Sequence, residues 1–560
     1  MHRIRSTIPL DLRGERMIKI ENLVKYFPLK SGFSIKALDI SELEIKKGER
    51  VGLLGKSGSG KTTLLRILRG VEHFDEGKVT IDGIELTPNS ERDKFREVRK
   101  RTAIHLQRSF GLWSEKVVQN VIRALYYTIW GDEVLPEEDT SLYEELYEKA
   151  MKLLELVDLK HKAECWAEVL SGGEKQRLVL ARQLAKNPSI LLVDEFGTMT
   201  CPETRRKCIE ILRRANEEMG VTLVFSSHMP EIHKELAKRV VLLDKGKVIA
   251  SGETEDVLRK FLSEMEPSFS KRSKIGKDNV RADRVYKSYY VIPGGKTLEL
   301  EDVVFSIKRG QIVGILGRSG SGKTVISRII AGLELPDKGK VMVRTDEKWV
   351  DWSTFGNESV NARRKIGILH QEFALPYWAK VRDLISYRIR IKREEVVREA
   401  EKRATELGIS EKLFDAIYRM TDLPKEEAEI RLMRLGLSYN IIKELFPEAE
   451  ESITDEIHEI LEGLDLPLEI LDRYSHELSG GEAVRLGIAL AVMTKPDILI
   501  LDEPFGDIDP VTLRKVSNFL KKFNSINGTT IIIISHQHDL VREMADRILV
   551  IKEGKLYEES

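Results

Sequence analysis

The octet GKSGSGKT at Gly55–Thr62 returns as GRSGSGKT at Gly317–Thr324, and the motifs that follow it return in the same order. LSGGE begins at Leu170 and again at Leu478. LLVDE ends at Glu195 and LILDE at Glu503. SSH ends at His228 and ISH at His536. A duplication on this scale requires one fold built twice. The length of 560 residues agrees, because single cores stop growing near ~250–300 residues. The copies stay in register from the octets to Gln107 and Gln371, after which the second is longer by some forty residues. Residues 17–265 are read as the first domain, 266–279 as a polar, basic linker, and 280–560 as the second domain. The segment 1–16 is basic and lacks the apolar core of a signal peptide; it reads as a disordered extension, with Met17 opening the first strand.

Short apolar runs such as Ile190–Val193, Leu223–Phe225, Ile498–Leu501 and Ile531–Ile534 are of the buried parallel-strand type. Each copy reads as strand, glycine-rich loop, helix, helical section, strand, switch and strand. That alternation predicts an α/β core around a parallel sheet. The extra length of the second copy falls within about 392–465, a highly charged, helix-patterned stretch. Val396, Val397, Ala400, Ala404 and Leu407 fall on one stripe, and Ile453, Ile457, Ile460 and Leu461 on another. Gly408, Gly436 and Gly463 stand where helices could end. The expectation is a small helical bundle extending the second helical section, either a family embellishment or a docking surface.

Gly55, Gly58 and Gly60, and in the second copy Gly317, Gly320 and Gly322, let the backbone turn around a phosphate with its N–H groups inward. Ser57 and Ser319 lie in the same turns, with Thr63 and Val325 opening the helices. The positive N-terminus of each following helix favours the same anion. Lys61 and Lys323 would reach the β/γ-phosphates of ATP, and Thr62 and Thr324 would place hydroxyls on Mg²⁺. Asp194 and Asp502 end apolar strands, where a carboxylate can hold the Mg²⁺ shell. Glu195 and Glu503 come next and can orient or deprotonate a water. His228 and His536 follow the next strand and read as γ-phosphate sensors.

LSGGE leading into a helix, about 20 residues before the acidic strand end, separates this chain from other phosphate-loop ATPases. With it, nearly the whole chain resembles the ABC ATPase superfamily. The resemblance implies two P-loop NTPase (ABC) nucleotide-binding domains in tandem, each with a RecA-like core and a helical subdomain, and an ATPase needing ATP and Mg²⁺. It further implies a head-to-tail sandwich in which Ser171, Gly172 and Gly173 cap the ATP held by Lys323, and Ser479, Gly480 and Gly481 the ATP held by Lys61. It makes Gln107 and Gln371 the Mg²⁺-sensing glutamines, and Phe27 and Tyr289, each in a K-x-aromatic context, the residues stacked on adenine. Two departures predict unequal sites. PFGDIDP after Glu503 supplies Asp509, whereas FGTMTCP after Glu195 puts Cys201 in that place and Phe196 in the proline's. Val484 also stands where the first copy has Gln176. Both copies keep Lys, Thr, Gln, Asp, Glu and His, so both are expected to hydrolyse ATP.

Lys plus Arg and Asp plus Glu both number 91, without the basic excess of a nucleic-acid binder. The three cysteines form no CxxC pair and offer no zinc or iron–sulfur spacing. No apolar run approaches the ~20 residues of a membrane helix, so a cytoplasmic protein acting through partners is expected. The cassette pair should work within one chain, without homodimerisation. The two fused cassettes, the FGTMTCP loop and the segments LQRSFGLW and HQEFALPYW resemble the ATP-binding component (component A-two) family of the methyl-coenzyme M reductase activation system of methanogenic archaea. That resemblance implies the reductase and its redox activation proteins as partners. The opening IENLVKYFPLKSG is similar to peptide-importer ATPases, so a fused ATPase subunit for a separate permease stands as an alternative. A ribosome-acting tandem ABC protein is a third, disfavoured by the short linker and the few cysteines.

Overall fold

The computed structural model describes residues 16–28, 34–106, 111–195, 202–291, 295–318, 320–345, 348–371, 375–447, 454–506, 508–535 and 537–559. The chain divides into two units, Met1–Met265 with Asp507–Val511, and Glu266–Gly506 with Thr512–Ser560.

Strands of the first unit are β1 (Arg16–Pro28), β2 (Ser34–Lys46), β3 (Arg50–Leu54), β4 (Glu76–Ile81), β5 (Ile84–Leu86), β6 (Thr102–Leu106), β7 (Ile190–Asp194), β8 (Thr222–Ser226), β9 (Arg239–Asp244) and β10 (Lys247–Gly252). They form an antiparallel sheet in the order β2-β1-β4-β5 and a second sheet in the order β10-β9-β3-β8-β7-β6. In the second sheet β6, β7, β8, β3 and β9 run parallel. Every residue of β7 and β8 is buried, which is why Ile190–Val193 and Leu223–Phe225 read as apolar runs: a parallel strand is covered on both faces.

Strands of the second unit are β11 (Asp278–Val291), β12 (Gly295–Lys308), β13 (Ile312–Gly317), β14 (Lys338–Thr345), β15 (Lys348–Asp351), β16 (Ile366–Leu369), β17 (Ile498–Asp502), β18 (Thr530–Ile534), β19 (Arg547–Lys552) and β20 (Lys555–Glu559). Their orders, β12-β11-β14-β15 and β16-β17-β18-β13-β19-β20, repeat those of the first unit. Register repeats as well. Arg50 faces Leu223 as Ile312 faces Ile531, Ile190 faces Thr222 as Ile498 faces Thr530, and Thr102 faces Ile190 as Ile366 faces Ile498. Parallel pairing brings the carboxyl ends of β3, β7 and β8 to one edge, and likewise those of β13, β17 and β18. Open α/β sheets bind ligands at such edges.

The inserted stretch of the second unit forms helices at Glu394–Glu406, Glu411–Met420, Lys425–Arg434, Asn440–Leu445 and Asp455–Gly463. Its placement differs from the expected bundle. Buried residues of the first four, including Val397, Ala400, Phe414, Ile417, Ala428 and Leu445, share a core with the antiparallel sheet and with Ile326, Ile329 and Ile330 of the helix after the octet. Only Ile457, Ile460 and Leu461 of the last helix join the core around Gly480–Val492. Ile453 lies outside the described residues, and Leu407 is 54% exposed because the helix has already ended at Glu406. Gly408 and Gly436 take left-handed φ of 73° and 75° just past helix ends. Gly463 is the last residue of its helix and is glycine for space: a Cβ there would lie 2.5 Å from the Phe519 ring.

Buried charge fixes the insertion. Asp422 accepts from Lys392 Nζ and Arg388, each at 2.7 Å. Arg419 pairs with Asp415 at 3.1 Å and donates to the Trp352 carbonyl at 3.3 Å. Arg363, fully buried, donates to the carbonyls of Ala331 and Gly332 and stacks on Trp352, 4.6 Å from the ring centroid. Residues expected as a linker run along the second unit. Phe269 N–H donates to Asn518 at 2.8 Å, and Arg272 pairs with Asp546 at 2.6 Å.

Candidate active site

Gly60 and Gly322 occupy a left-handed backbone of φ 99° as N-caps of the helices Lys61–Leu68 and Lys323–Ile330. At Gly60 a Cβ would fall 2.7 Å from the Ala37 carbonyl oxygen, so the loop requires glycine for both conformation and space. Gly58 and Gly320 differ from this. Their φ of 78° and 75° is also left-handed, but a Cβ at either would meet no atom within 4 Å. They turn the loop and leave open space beside it. Gly55 and Gly317 are close approaches, where a Cβ would fall 2.2 Å from the Leu243 carbonyl oxygen and 2.9 Å from that of Ile551. Gly60→Ala is expected to strain the loop by about 1–3 kcal/mol. Titration of the full chain with a fluorescent ATP analogue should then show one tight nucleotide where the parent binds two.

Lys61 is buried, and its Nζ donates to the carbonyls of Gly55 and Lys56 at 2.8 and 2.9 Å. Lys323 Nζ repeats this with Gly317 and Arg318 at 3.0 and 2.9 Å. Burial lowers the pKa of both lysines, against the opposing charges of Glu195 and Glu503. Thr63 and Val325, next along the two helices, are half-buried. Thr62 Oγ1 donates to Asp194 Oδ1 at 3.1 Å, and Thr324 Oγ1 to Gln371 Oε1 at 3.1 Å. Ser57 N–H donates to Asp509 Oδ2 at 3.3 Å within the first unit. Gln107, Ser319 and His536 lie outside the described residues, as do Phe196 and Cys201 of the departing loop.

The acidic pair has the same backbone in both copies. Glu195 and Glu503 adopt positive φ, 49° and 52°, an uncommon conformation for a side-chain-bearing residue. His228 Nδ1 lies 2.9 Å from Glu195 Oε2. Burial raises the Glu195 pKa, but the hydrogen bond and charge of His228 outweigh it and leave it below the usual value. Asp194 and Asp502 are raised instead, chiefly by burial. His228, Glu195, Asp194, Thr62 and Lys61 of the first copy thus lie at one edge of the sheet.

Among the described residues, no three His, Cys, Asp or Glu side chains gather as a metal cluster. A threonine hydroxyl within reach of one aspartate suits a hard cation that takes oxygen ligands and completes its shell with water and phosphate. Mg²⁺ has that preference, and the donor set fits it.

LSGGE owes its last residue to local structure. Ser171 caps the helix Gly172–Ala185, and Glu174 Oε2 accepts from the Ser171 N–H and Oγ, both at 2.9 Å. Ser479 and Glu482 repeat the arrangement at the helix Gly480–Val492. Burial pushes the Glu174 carboxyl up, but Lys162 and Ser171 hold it down at about 2. Sequence reasoning credited the motif to phosphate alone, although S-x-x-E is the signature of a capping box. Gly172 is exposed and Gly173 half-buried; Gly480 is exposed and Gly481 buried.

Phe27 and Tyr289 stand near the ends of β1 and β11. Lys25 Nζ lies 4.7 Å from the Phe27 ring centroid and pairs with Glu72, while Lys287 Nζ lies 5.6 Å from that of Tyr289 and pairs with Glu334. Each lysine of the K-x-aromatic pattern therefore spans its aromatic and an acid.

The ABC transporter family matches residues 38–197 and 300–506, more than half of the chain. An ABC transporter ATP-binding protein of Methanocaldococcus jannaschii, described as uncharacterized, is 45% identical over 546 residues, 96% of this chain and 94% of that protein. A methionine import ATP-binding protein of Campylobacter jejuni is 31% identical over 357 residues, 60% of this chain and 99% of that protein. Among solved structures, RNase-L inhibitor is similar in fold, with a TM-score of 0.53 at 19% identity over 96% of this chain and 90% of that one. Among the described residues no helix is long and apolar enough to cross a membrane. Two matched regions, each with its own phosphate loop, signature helix and acidic strand end, make this chain a member of the ABC transporter family: a tandem ABC ATPase that binds and hydrolyses ATP.

Proposed function

We propose that the chain couples ATP hydrolysis at two Mg²⁺-dependent sites to work on a separate protein, and that this work is the reductive activation of methyl-coenzyme M reductase. Glu195 and Glu503 orient or deprotonate the attacking water; His228 and His536 sense the γ-phosphate; Asp194, Asp502, Thr62, Thr324, Gln107 and Gln371 serve Mg²⁺. One observation carries the coupling. His370, next to the Mg²⁺-sensing Gln371, has its Nε2 2.6 Å from the carbonyl oxygen of Asp422 in the insertion. A partner that shifts the insertion would thereby shift the Q-loop. The identity of the partner is supported by the two fused cassettes, the FGTMTCP loop and a relative from Methanocaldococcus matched along nearly its whole length. Redox chemistry belongs to the partners, and the chain supplies conformational work from ATP in the cytoplasm.

The similarity to methionine import ATP-binding proteins favours a second reading, the ATPase of an importer with a separate permease. Affinity purification of the Glu195→Gln/Glu503→Gln chain from its native host with ATP separates the two. The proposal expects reductase subunits and redox proteins in the eluate. Recovery of an integral-membrane permease in their place would overturn it.

A further inference from the structure

We propose that Ser226 and Ser327 are positioning residues for hydrolysis, each holding the strand-end aspartate of its own cassette from a different element of the fold. The inference concerns the ATPase sites and stands apart from which partner is driven.

In the first copy, Ser226 closes β8 and is fully buried. Its Oγ donates to Asp194 Oδ1 at 2.7 Å and accepts from the Glu195 N–H at 2.8 Å. One hydroxyl thus aims the carboxylate and pins the glutamate backbone at its positive φ. In the second copy the same strand position is Ile534, facing Asp502 in the β17–β18 pairing. The isoleucine has no hydroxyl, and Glu503 N–H donates to the Ile534 main-chain oxygen at 2.8 Å. The backbone requirement can therefore be met without a serine. What the serine adds in the first copy is its grip on the carboxylate.

The second copy recovers that grip elsewhere. Ser327 lies on the helix Lys323–Ile330, where the first copy has Leu65, and it is 1% exposed. Its Oγ lies 3.2 Å from Asp502 Oδ2 and 2.8 Å from the Thr324 carbonyl oxygen. A serine carries one hydroxyl proton, so these acceptors share it. Asp194 Oδ1 receives two donors, Ser226 and Thr62. Asp502 Oδ1 is buried without a hydrogen-bond partner among the described residues. Exchange of a serine between two positions around one carboxylate, with an apolar residue in each abandoned place, is not required by the packing of either element alone. The carboxylate is what the two serines have in common. Thr62 and Thr324 add a hydroxyl to the aspartate of their own copy, so each cassette holds with one serine and one threonine the carboxylate that would take a divalent cation with its nucleotide.

The test uses the full chain with Glu195→Gln and Lys323→Ala, leaving the Lys61 site to be read. The Mn²⁺ concentration that half-saturates binding of a methylanthraniloyl-ATP probe is measured, with Mn²⁺ paramagnetic resonance reporting the bound ion. Ser226→Ala is expected to raise that concentration about tenfold, the scale of losing a partner of a metal ligand. Ser226→Thr should keep it within about twofold. Relocation of the hydroxyl, as Leu65→Ser with Ser226→Ile, should recover most of the loss. An alanine variant within about twofold of its parent, or a relocated serine no better than alanine, overturns the proposal. Should Ser226→Ala fail to fold by thermal unfolding, Ile534→Ser in a Lys61→Ala/Glu503→Gln chain decides. Tighter Mn²⁺ binding at the second site supports the proposal, and unchanged binding overturns it.

Discussion

Glu195→Gln combined with Glu503→Gln is expected to lower ATP turnover by about 10²–10⁴, the usual contribution of a positioned general base. Nucleotide binding should persist. The unusual φ of Glu195 is set by its own N–H on Ser226, not by its carboxylate. Lys61 is held by loop carbonyls that the change leaves alone. Glutamine keeps the length of the side chain and can still meet His228, so the first site keeps its shape and loses its base. Steady-state phosphate release and equilibrium binding of labelled ATP check both halves of the expectation. Turnover within about tenfold of the parent would remove Glu195 and Glu503 from the chemistry.

The second large effect is on stability. Asp422→Ala should destabilise the second unit by about 3–5 kcal/mol, because removing one partner strands buried charges. Arg388 and Lys392 both end on this carboxylate, and Lys392 is 5% exposed. Burial pushes the Asp422 pKa up, but Lys392 and Arg388 hold it at about 2, below the ordinary aspartate value. A carboxylate depressed on folding contributes stability that is complete above its unfolded pKa and is lost as pH falls through the folded one. The parent should therefore lose stability between about pH 4 and pH 2, and Asp422→Asn should flatten that part of the profile. Denaturant unfolding followed across pH reads both. The main-chain carbonyl of Asp422 also meets His370, so Asp422→Ala, which frees this turn from Arg388 and Lys392, should also disturb hydrolysis at the second site.

How much of this could be read from the chain differs by residue. Lys61, Thr62, Asp194 and Glu195 could be singled out because their motifs stand at fixed spacings from a strand and a helix, and Thr62 does meet Asp194 across the first copy. The duplication doubled the signal. The glycines of the octet were legible as a set, but not their separate reasons: Gly60 is held by both conformation and space, Gly58 and Gly320 by conformation alone. Ser226 and Ser327 were not legible as a pair: Ser226 opens SSH where the second copy has Ile534, and Ser327 stands on a helix where the first copy has Leu65, so the repeat aligns each serine with an apolar residue. Helical periodicity located Val397, Ala400 and Ala404 correctly. It could not tell which core they enter. That depends on pairs such as Asp415 with Arg419, distant contacts such as Arg419 with Trp352, and a charge content that resembles a solvated surface. Leu407 continued the stripe on paper, but the helix stops one residue earlier and the chain turns at Gly408.

The shared register of the two sheets has a consequence during synthesis. β13 finds its partners only in β18 and β19, so Ile312 waits for Ile531. Those residues are about 220 apart, and at roughly 5–20 residues per second the ribosome needs roughly 10–45 seconds to deliver the partner. β3 waits less, because Arg50 pairs with Leu223 and no insertion intervenes. The equilibrium penalty of the longer loop is small, since even a doubling of length costs only about 0.6 kcal/mol. The penalty in time is larger. The amino-terminal cassette can complete its sheet while its twin is still being made, and the later one keeps a bare apolar strand for most of its synthesis. Growth temperature and chaperone supply should therefore limit the yield of the second half before that of the first.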